Sequence, residues 1–202
     1  MSSHQSAQWP AHDDCLPVNR VVAPHPAVWS TDDLSELIRW RTQTRSGPGG
    51  QHRNRTASGA FATIDLVSLD QHRLSFTTEA TESRHQRQNR DRALHRLRLQ
   101  LALAVRTKSR LPDDQLIDPQ EQDVVSQSRQ TTWRFAESNA FLPAMLAVLL
   151  NDLHASGGQP SLVAPAWHVS TSRLIGCIKR VPPAWAWLQK VRTHHGRLPL
   201  RS

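Results

Sequence analysis

The run Arg45-Ser46-Gly47-Pro48-Gly49-Gly50-Gln51-His52-Arg53-Asn54-Arg55-Thr56 excludes more conformations than any other stretch of this chain. Three glycines and one proline within four residues propagate neither a helix nor a strand. The backbone here is expected to be an exposed turn, with left-handed conformations open to Gly47, Gly49 and Gly50. Gln51 has no ionisable group, so it can be neither general base nor nucleophile. Its backbone N–H and side-chain amide can instead orient water and donate to developing negative charge. Arg45, Arg53 and Arg55 set cations on both sides of the turn.

The flanks of the turn carry two different periods. Ahead of it, Ser30-Thr31-Asp32-Asp33 supplies an N-cap and an acidic first turn for a short helix, with Leu34, Leu37 and Ile38 on one face. This helix leads into the basic Arg39-Trp40-Arg41. Behind the turn, residues 60–67 and 73–78 read as two paired strands joined by a hairpin turn at 69–72. From residue 83 the period lengthens: Leu94, Leu97, Leu101 and Val105 mark the buried stripe of a long helix that ends near residue 109. The predicted fold class is therefore α+β over residues 30–110, a small sheet with a long helix packed on it. Of the formal net charge of +8, residues 39–110 carry more than the whole, with 15 Lys/Arg against 5 Asp/Glu. Such a block suits a phosphate backbone, and Arg90, Arg92, Arg96 and Arg98 on the polar side of the helix are expected to face RNA.

These residues carry a likeness to a known family. The run from Ser46 to Thr56 closely resembles the catalytic loop of the class I peptide release factors. Arg84-His85-Gln86-Arg87-Gln88-Asn89, followed by Ala93-Leu94, resembles that family's second signature, with His85 where serine is usual. The likeness covers residues 33–105 and implies a ribosome-dependent hydrolysis of the peptidyl-tRNA ester. Carried over, Gly49 and Gly50 supply the conformation that enters the peptidyl transferase centre, while Gln51 donates to the leaving ribose oxygen and positions water. The likeness further implies RNA contacts at Arg45, His52, Arg53, Asn54, Arg55, Arg84, Gln86, Arg87, Asn89 and Arg90. The partners it implies are the ribosome, through its large-subunit rRNA, and peptidyl-tRNA. It calls for no cofactor and no metal. With few residues ahead of the motif, the chain is similar to the short, codon-independent members that rescue stalled ribosomes, acting as a monomer in the cytoplasm.

The rest of the chain is read from its residues. Residues 1–29, with Pro10, Pro17, Pro24 and Pro26 among polar side chains, are expected to be a disordered arm. Residues 111–135 are acidic and Gln-rich with Pro119 among them, and read as a linker. A second, all-α unit is expected over 136–202. It opens with an apolar helix stopped by Gly157-Gly158, and this second Gly-Gly-Gln, ending at Gln159, is read as a helix cap rather than a catalytic loop. Residues 162–180 then have helix-turn-helix spacing, with Ser170 as the cap of the second helix and His168 where a turn glycine is usual. Cys15 and Cys177 form no disulfide framework, and no run is long and apolar enough for a membrane span. An alternative reading from another class is a catalytically inactive RNA- or DNA-binding regulator built on the same fold, with the C-terminal helices as its reader.

Overall fold

A computed structural model describes residues 9–11, 14–43, 58–111 and 118–201 of the chain. The described chain runs β1 (Asn19–Arg20), α1 (Thr31–Leu37), β2 (Arg39–Gln43), β3 (Gly59–Val67), β4 (Arg73–Ala80) and α2 (Gln86–Ala104). It continues through β5 (Val105–Arg106), α3 (Pro119–Ser128), α4 (Leu142–Ala155) and α5 (Pro160–Val163). A 3₁₀ turn (Ala164–Trp167), α6 (Thr171–Lys179) and α7 (Pro182–His194) complete it. The fold is α+β, a small sheet and a long helix followed by a helical region.

The sheet is an antiparallel meander in the order β2-β3-β4, with Arg41 opposite Phe61 and Thr63 opposite Thr77. Strand alternation turns Ala60, Ala62 and Ile64 inward, where all three are buried. The open face carries Asp65, which accepts from Arg39 and Arg73 at 2.7 Å each, so both arginines hold its carboxyl below the usual range. Small side chains at Ala60, Ala62, Ala80 and Ala93 let α2 lie close on the inner face, and Thr78 Oγ1 bridges to the Ala93 carbonyl at 2.8 Å. The stripe read at Leu97, Leu101 and Val105 is fully buried, with Ala93 and Asn89 extending it toward the helix start.

Several expectations change. Arg39-Trp40-Arg41 is an edge strand rather than a lead-in. In α1, Ser30 caps the Asp33 N–H at 3.1 Å, but Leu37 stands exposed while Leu34 and Ile38, one turn apart, are buried. The long helix stops at Ala104 instead of near 109 because Val105 turns extended (φ −120, ψ 161) and pairs in parallel with β1. The described part of the expected arm is packed rather than disordered: Val21, His25 and Ala27 are buried, and Arg98 donates to the Trp29 carbonyl at 2.7 Å. Its few apolar residues suffice because they dock into a core built by other elements. The expected linker holds α3, where Asp118 caps the Gln120 N–H at 2.8 Å and Pro119 sits at the first helical position, which proline favours. Val124 and Val125 bury that helix against the rest.

The helix α4 is buried from Leu142 to His154 and apolar all round as far as Leu150, the mark of a central core helix. One continuous cluster joins Leu34, Ile64, Leu97 and Leu101 of the sheet-and-helix half to Leu146, Leu150, Trp167, Leu174 and Leu188. Asp152 of α4 accepts from Ser109 Oγ at 2.6 Å and Trp167 Nε1 at 2.7 Å, with the Arg110 guanidinium 3.6 Å away. Gly157 and Gly158, at φ 60 and φ 71, end α4, and the Gly158 N–H donates to the Leu153 carbonyl at 2.8 Å. Gln159 is then the residue before α5, so the second Gly-Gly-Gln is a cap as expected. His168 adopts a left-handed conformation (φ 52, ψ 41), and Ser170 accepts from the Arg173 N–H at 3.3 Å to open α6.

Candidate functional site

Arg45, Gly49, Gly50, Gln51, His52, Arg53, Asn54 and Arg55 lie outside the described residues. What the structure describes is the frame that holds both ends of their segment. The last pair of the β2–β3 ladder is Gln43 with Gly59, so the segment leaves and re-enters at one point. Gly59 permits that closure by its size: a Cβ there would meet the Gln43 carbonyl oxygen at 3.0 Å and Thr81 Cγ2 at 3.1 Å.

Asn89 fixes the re-entry point. Its Nδ2 donates to the Ser58 carbonyl at 2.6 Å and to the Ser83 carbonyl at 2.8 Å, and its Oδ1 accepts from the Ser83 N–H at 2.9 Å. With a relative exposure of 0%, this side chain cannot reach RNA, so the expectation of an RNA contact at Asn89 is corrected. It instead ties together three segments: the residue after the loop, the turn between β4 and α2, and the first turns of α2. A buried amide with its polar atoms matched in this way is costly to replace, because truncation strands backbone groups that water cannot reach. The helical period carried the signal: residues 89, 93, 97 and 101 share one stripe.

The other expected residues of the second signature sit beside this frame. Arg84, Gln86, Arg87 and Arg90 are exposed at and just before the first turns of α2. That helix end has no acidic residue in its first turn, and His85 gives it no side-chain cap. Unmet N–H groups and arginines thus share the end of the helix where the backbone dipole is already positive, a combination that repels cations and draws anions. Two cation–aromatic pairs escaped the sequence reading: the Arg90 guanidinium lies over Trp40 at 4.6 Å, and that of Arg41 over Phe61 at 4.8 Å. Both join β2 or α2 to the sheet near the stem. Their residue types gave no hint, since neither pair is close in sequence.

Not every helix arginine serves this surface. Arg96 pairs with Glu82 at 2.6 Å and donates to the Glu79 carbonyl at 2.5 Å, and Arg98 holds the N-terminal segment, so the expectation that both face phosphate is corrected. Among the described residues no group of three His, Cys, Asp or Glu side chains is placed to hold a metal ion, and no helix is long and apolar enough to cross a membrane. Chemically, the described frame offers cations, helix N–H groups and a rigid stem.

Comparison with known proteins gives one family: a model described as the RF-1 domain matches residues 33–139. That span takes in β2, the loop segment, the sheet, α2 and α3. No curated protein and no solved structure matches the chain.

Proposed function

The chain belongs to the RF-1 domain family, and from that premise we propose that it hydrolyses the ester of peptidyl-tRNA on the ribosome without reading a stop codon. The family's members are peptidyl-tRNA hydrolases, which makes a release-factor type of activity the starting point. The observation that carries the proposal to this chain is that an intact Gly49-Gly50-Gln51 occupies the segment between the two pinned residues Gln43 and Gly59. The paired stem fixes where the two ends of that segment lie, which lowers the positional entropy lost when it is delivered to a confined site.

In the reaction, water adds to the ester carbonyl, the bond to the terminal ribose oxygen breaks, and the peptide leaves as a carboxylic acid with the tRNA hydroxyl restored. Gln51 donates its backbone N–H to the charge developing on the ribose oxygen and orients the water with its side-chain amide. Its amide takes no proton at neutral pH, so the proton moves through the substrate's ribose hydroxyls or through water. Arg84, Arg87 and Arg90 bind phosphates of large-subunit rRNA or tRNA beside the stem, with Arg45, Arg53 and Arg55 in the loop segment itself. Codon independence is part of this proposal and rests on the likeness of the motif region to the short members of the family. The reading carries with it a cytoplasmic site of action as a monomer.

The test is release of peptide from peptidyl-tRNA on ribosomes whose acceptor site holds no mRNA codon, compared with ribosomes that present a stop codon. Wild-type protein is expected to act equally on both, Gly50→Ala to be inactive, and Gln51→Ala, which keeps the backbone donor and loses the water-orienting amide, to fall sharply in kcat. An inactive wild type would return the protein to the RNA-binding, non-catalytic alternative.

A further inference from the structure

The C-terminal helices fall outside the span matched by the family model and take no part in the chemistry above. Residues 138–202 contain seven Lys/Arg against a single carboxylate, Asp152. That carboxylate is only 1% exposed and is bonded to Ser109 and Trp167, so the surface of this region carries no negative side chain of its own. Some of its cations are engaged internally: Arg192 donates to the Gly158 and Leu198 carbonyls and Arg197 to that of Gly157. Those of α6 are not. Leu174, Cys177 and Ile178 bury one side of that helix, and Ser172, Arg173, Gly176, Lys179 and Arg180 stand exposed on the other. Among the described residues, no carboxylate pairs with Arg173, Lys179 or Arg180, and the Lys179 ammonium lies over Trp185 at 5.1 Å.

Gly176 is the second observation. It sits inside the helix, where glycine is less stable than alanine, yet a Cβ at this position would meet nothing within 4 Å. Nothing within the fold requires its small size. Arg173 lies three residues before it, and Lys179 and Arg180 lie three and four after, so all three flank the bare backbone on one face. A flat spot ringed by cations admits a close, negatively charged backbone that a side chain would hold off.

We propose that this face of α6 is a second RNA-binding surface, which grips the phosphate backbone of an RNA double helix such as the ribosome presents. The choice of RNA rests on the ribosomal reading above. A double helix is favoured over a single strand because, among the described residues, the aromatic ring beside this face, Trp185, is half-buried and covered by the Lys179 ammonium, which leaves it poorly placed to stack splayed bases. Ser172 and Arg173 alone could reach base edges, so the grip is on shape and charge and does not select sequence.

The experiment measures binding of the full chain to a short labelled RNA duplex of mixed sequence, and to the DNA duplex of the same sequence, over a series of salt concentrations. The triple variant Arg173→Ala, Lys179→Ala, Arg180→Ala is expected to bind RNA about tenfold more weakly at moderate salt, and its log–log salt slope to fall by about two to three. Gly176→Ala is expected to raise the melting temperature and weaken RNA binding slightly, and Gly176→Gln to raise it as well but weaken binding further. The loss in the glutamine variant therefore cannot be unfolding. Unchanged affinity and slope in the triple variant, or wild-type affinity in Gly176→Gln, would overturn the proposal. Tighter binding of the DNA duplex would overturn the choice of RNA. Because this assay contains neither ribosome nor ester, it is independent of hydrolysis: inactivity with intact duplex binding would sink only the functional reading. If both hold, the triple variant raises the KM for ribosomes while leaving kcat as in wild type.

Discussion

Asn89 shows how one amide can matter to chemistry it never touches. Its three hydrogen bonds hold the Ser58 carbonyl and both backbone groups of Ser83 in the interior. Asn89→Ala strands these groups, which is worth about 1–3 kcal/mol for each one left unmatched. It also frees the end of the segment that carries Gln51. The expected outcome is a lower melting temperature together with a fall in kcat for peptide release that persists well below the melting temperature, at little change in KM for ribosomes. Asn89→Asp keeps the Oδ1 acceptor for the Ser83 N–H but sets a second oxygen against the Ser58 and Ser83 carbonyls where Nδ2 donated, and is expected to resemble alanine. A kcat equal to wild type in the folded Asn89→Ala protein would reduce Asn89 to a stability residue.

At the scale of elements, the N-terminal segment depends on how His25 is bonded beneath α3 and β5. The imidazole Nε2–H donates to the Val105 carbonyl at 3.1 Å, and Nδ1 accepts from the Ala27 N–H at 3.0 Å, so the buried ring is neutral with both nitrogens engaged. A second proton would have to displace the Ala27 N–H. Burial above all, and the Arg106 charge beside it, push the ring down to about 3, against the Val105 bond that favours the charged form. Burial likewise lowers His154 to about 4. The unfolded chain protonates both rings near the ordinary value of about 6.5 while the folded one does not, so stability is complete above that pH and is lost as pH falls. Glu121, which accepts from the His25 N–H at 2.8 Å, and Asp152 are both raised by burial and take up protons earlier when folded, which opposes the loss at the acid end. Thermal melting followed from about pH 7 to about pH 5 is expected to show a falling midpoint. His25→Asn, which can donate and accept without titrating, should flatten that fall. An identical slope in both proteins would exclude His25 as its source.

At the scale of the molecule, α2 is shared property: its stripe faces the sheet, and α4 packs against the same helix through the common core. Removing residues 136–202 would bare the side of α2 on which α4 packs, where each large apolar side chain is worth about 1.5–3 kcal/mol when buried, against a typical net stability of about 5–15 kcal/mol. The truncated chain is therefore expected to lose fixed tertiary structure, seen as collapsed near-ultraviolet circular dichroism and rapid amide exchange in α2. A stable, cooperatively melting fragment would show that the sheet-and-helix half closes its core alone.

Local chemistry could be read directly from residue order. The Ser30 cap, the strands after the loop, the α2 stripe and the cap formed by Gly157-Gly158 each rest on neighbours a few residues apart, where propensity and period decide. The likeness to the release factors was legible for the same reason, since its signatures are contiguous. What residue order left open depends on contacts between distant segments. Pro119 reads as a break until α3 finds α4 to pack on, the proline-rich arm reads as unfoldable until Val21 and Ala27 find a core made elsewhere, and Asn89 reads as a surface polar residue until Ser58 is brought to it. Burial is a property of the assembled chain, and only the tertiary structure could decide which polar groups point inward to hold the frame and which cations remain outside.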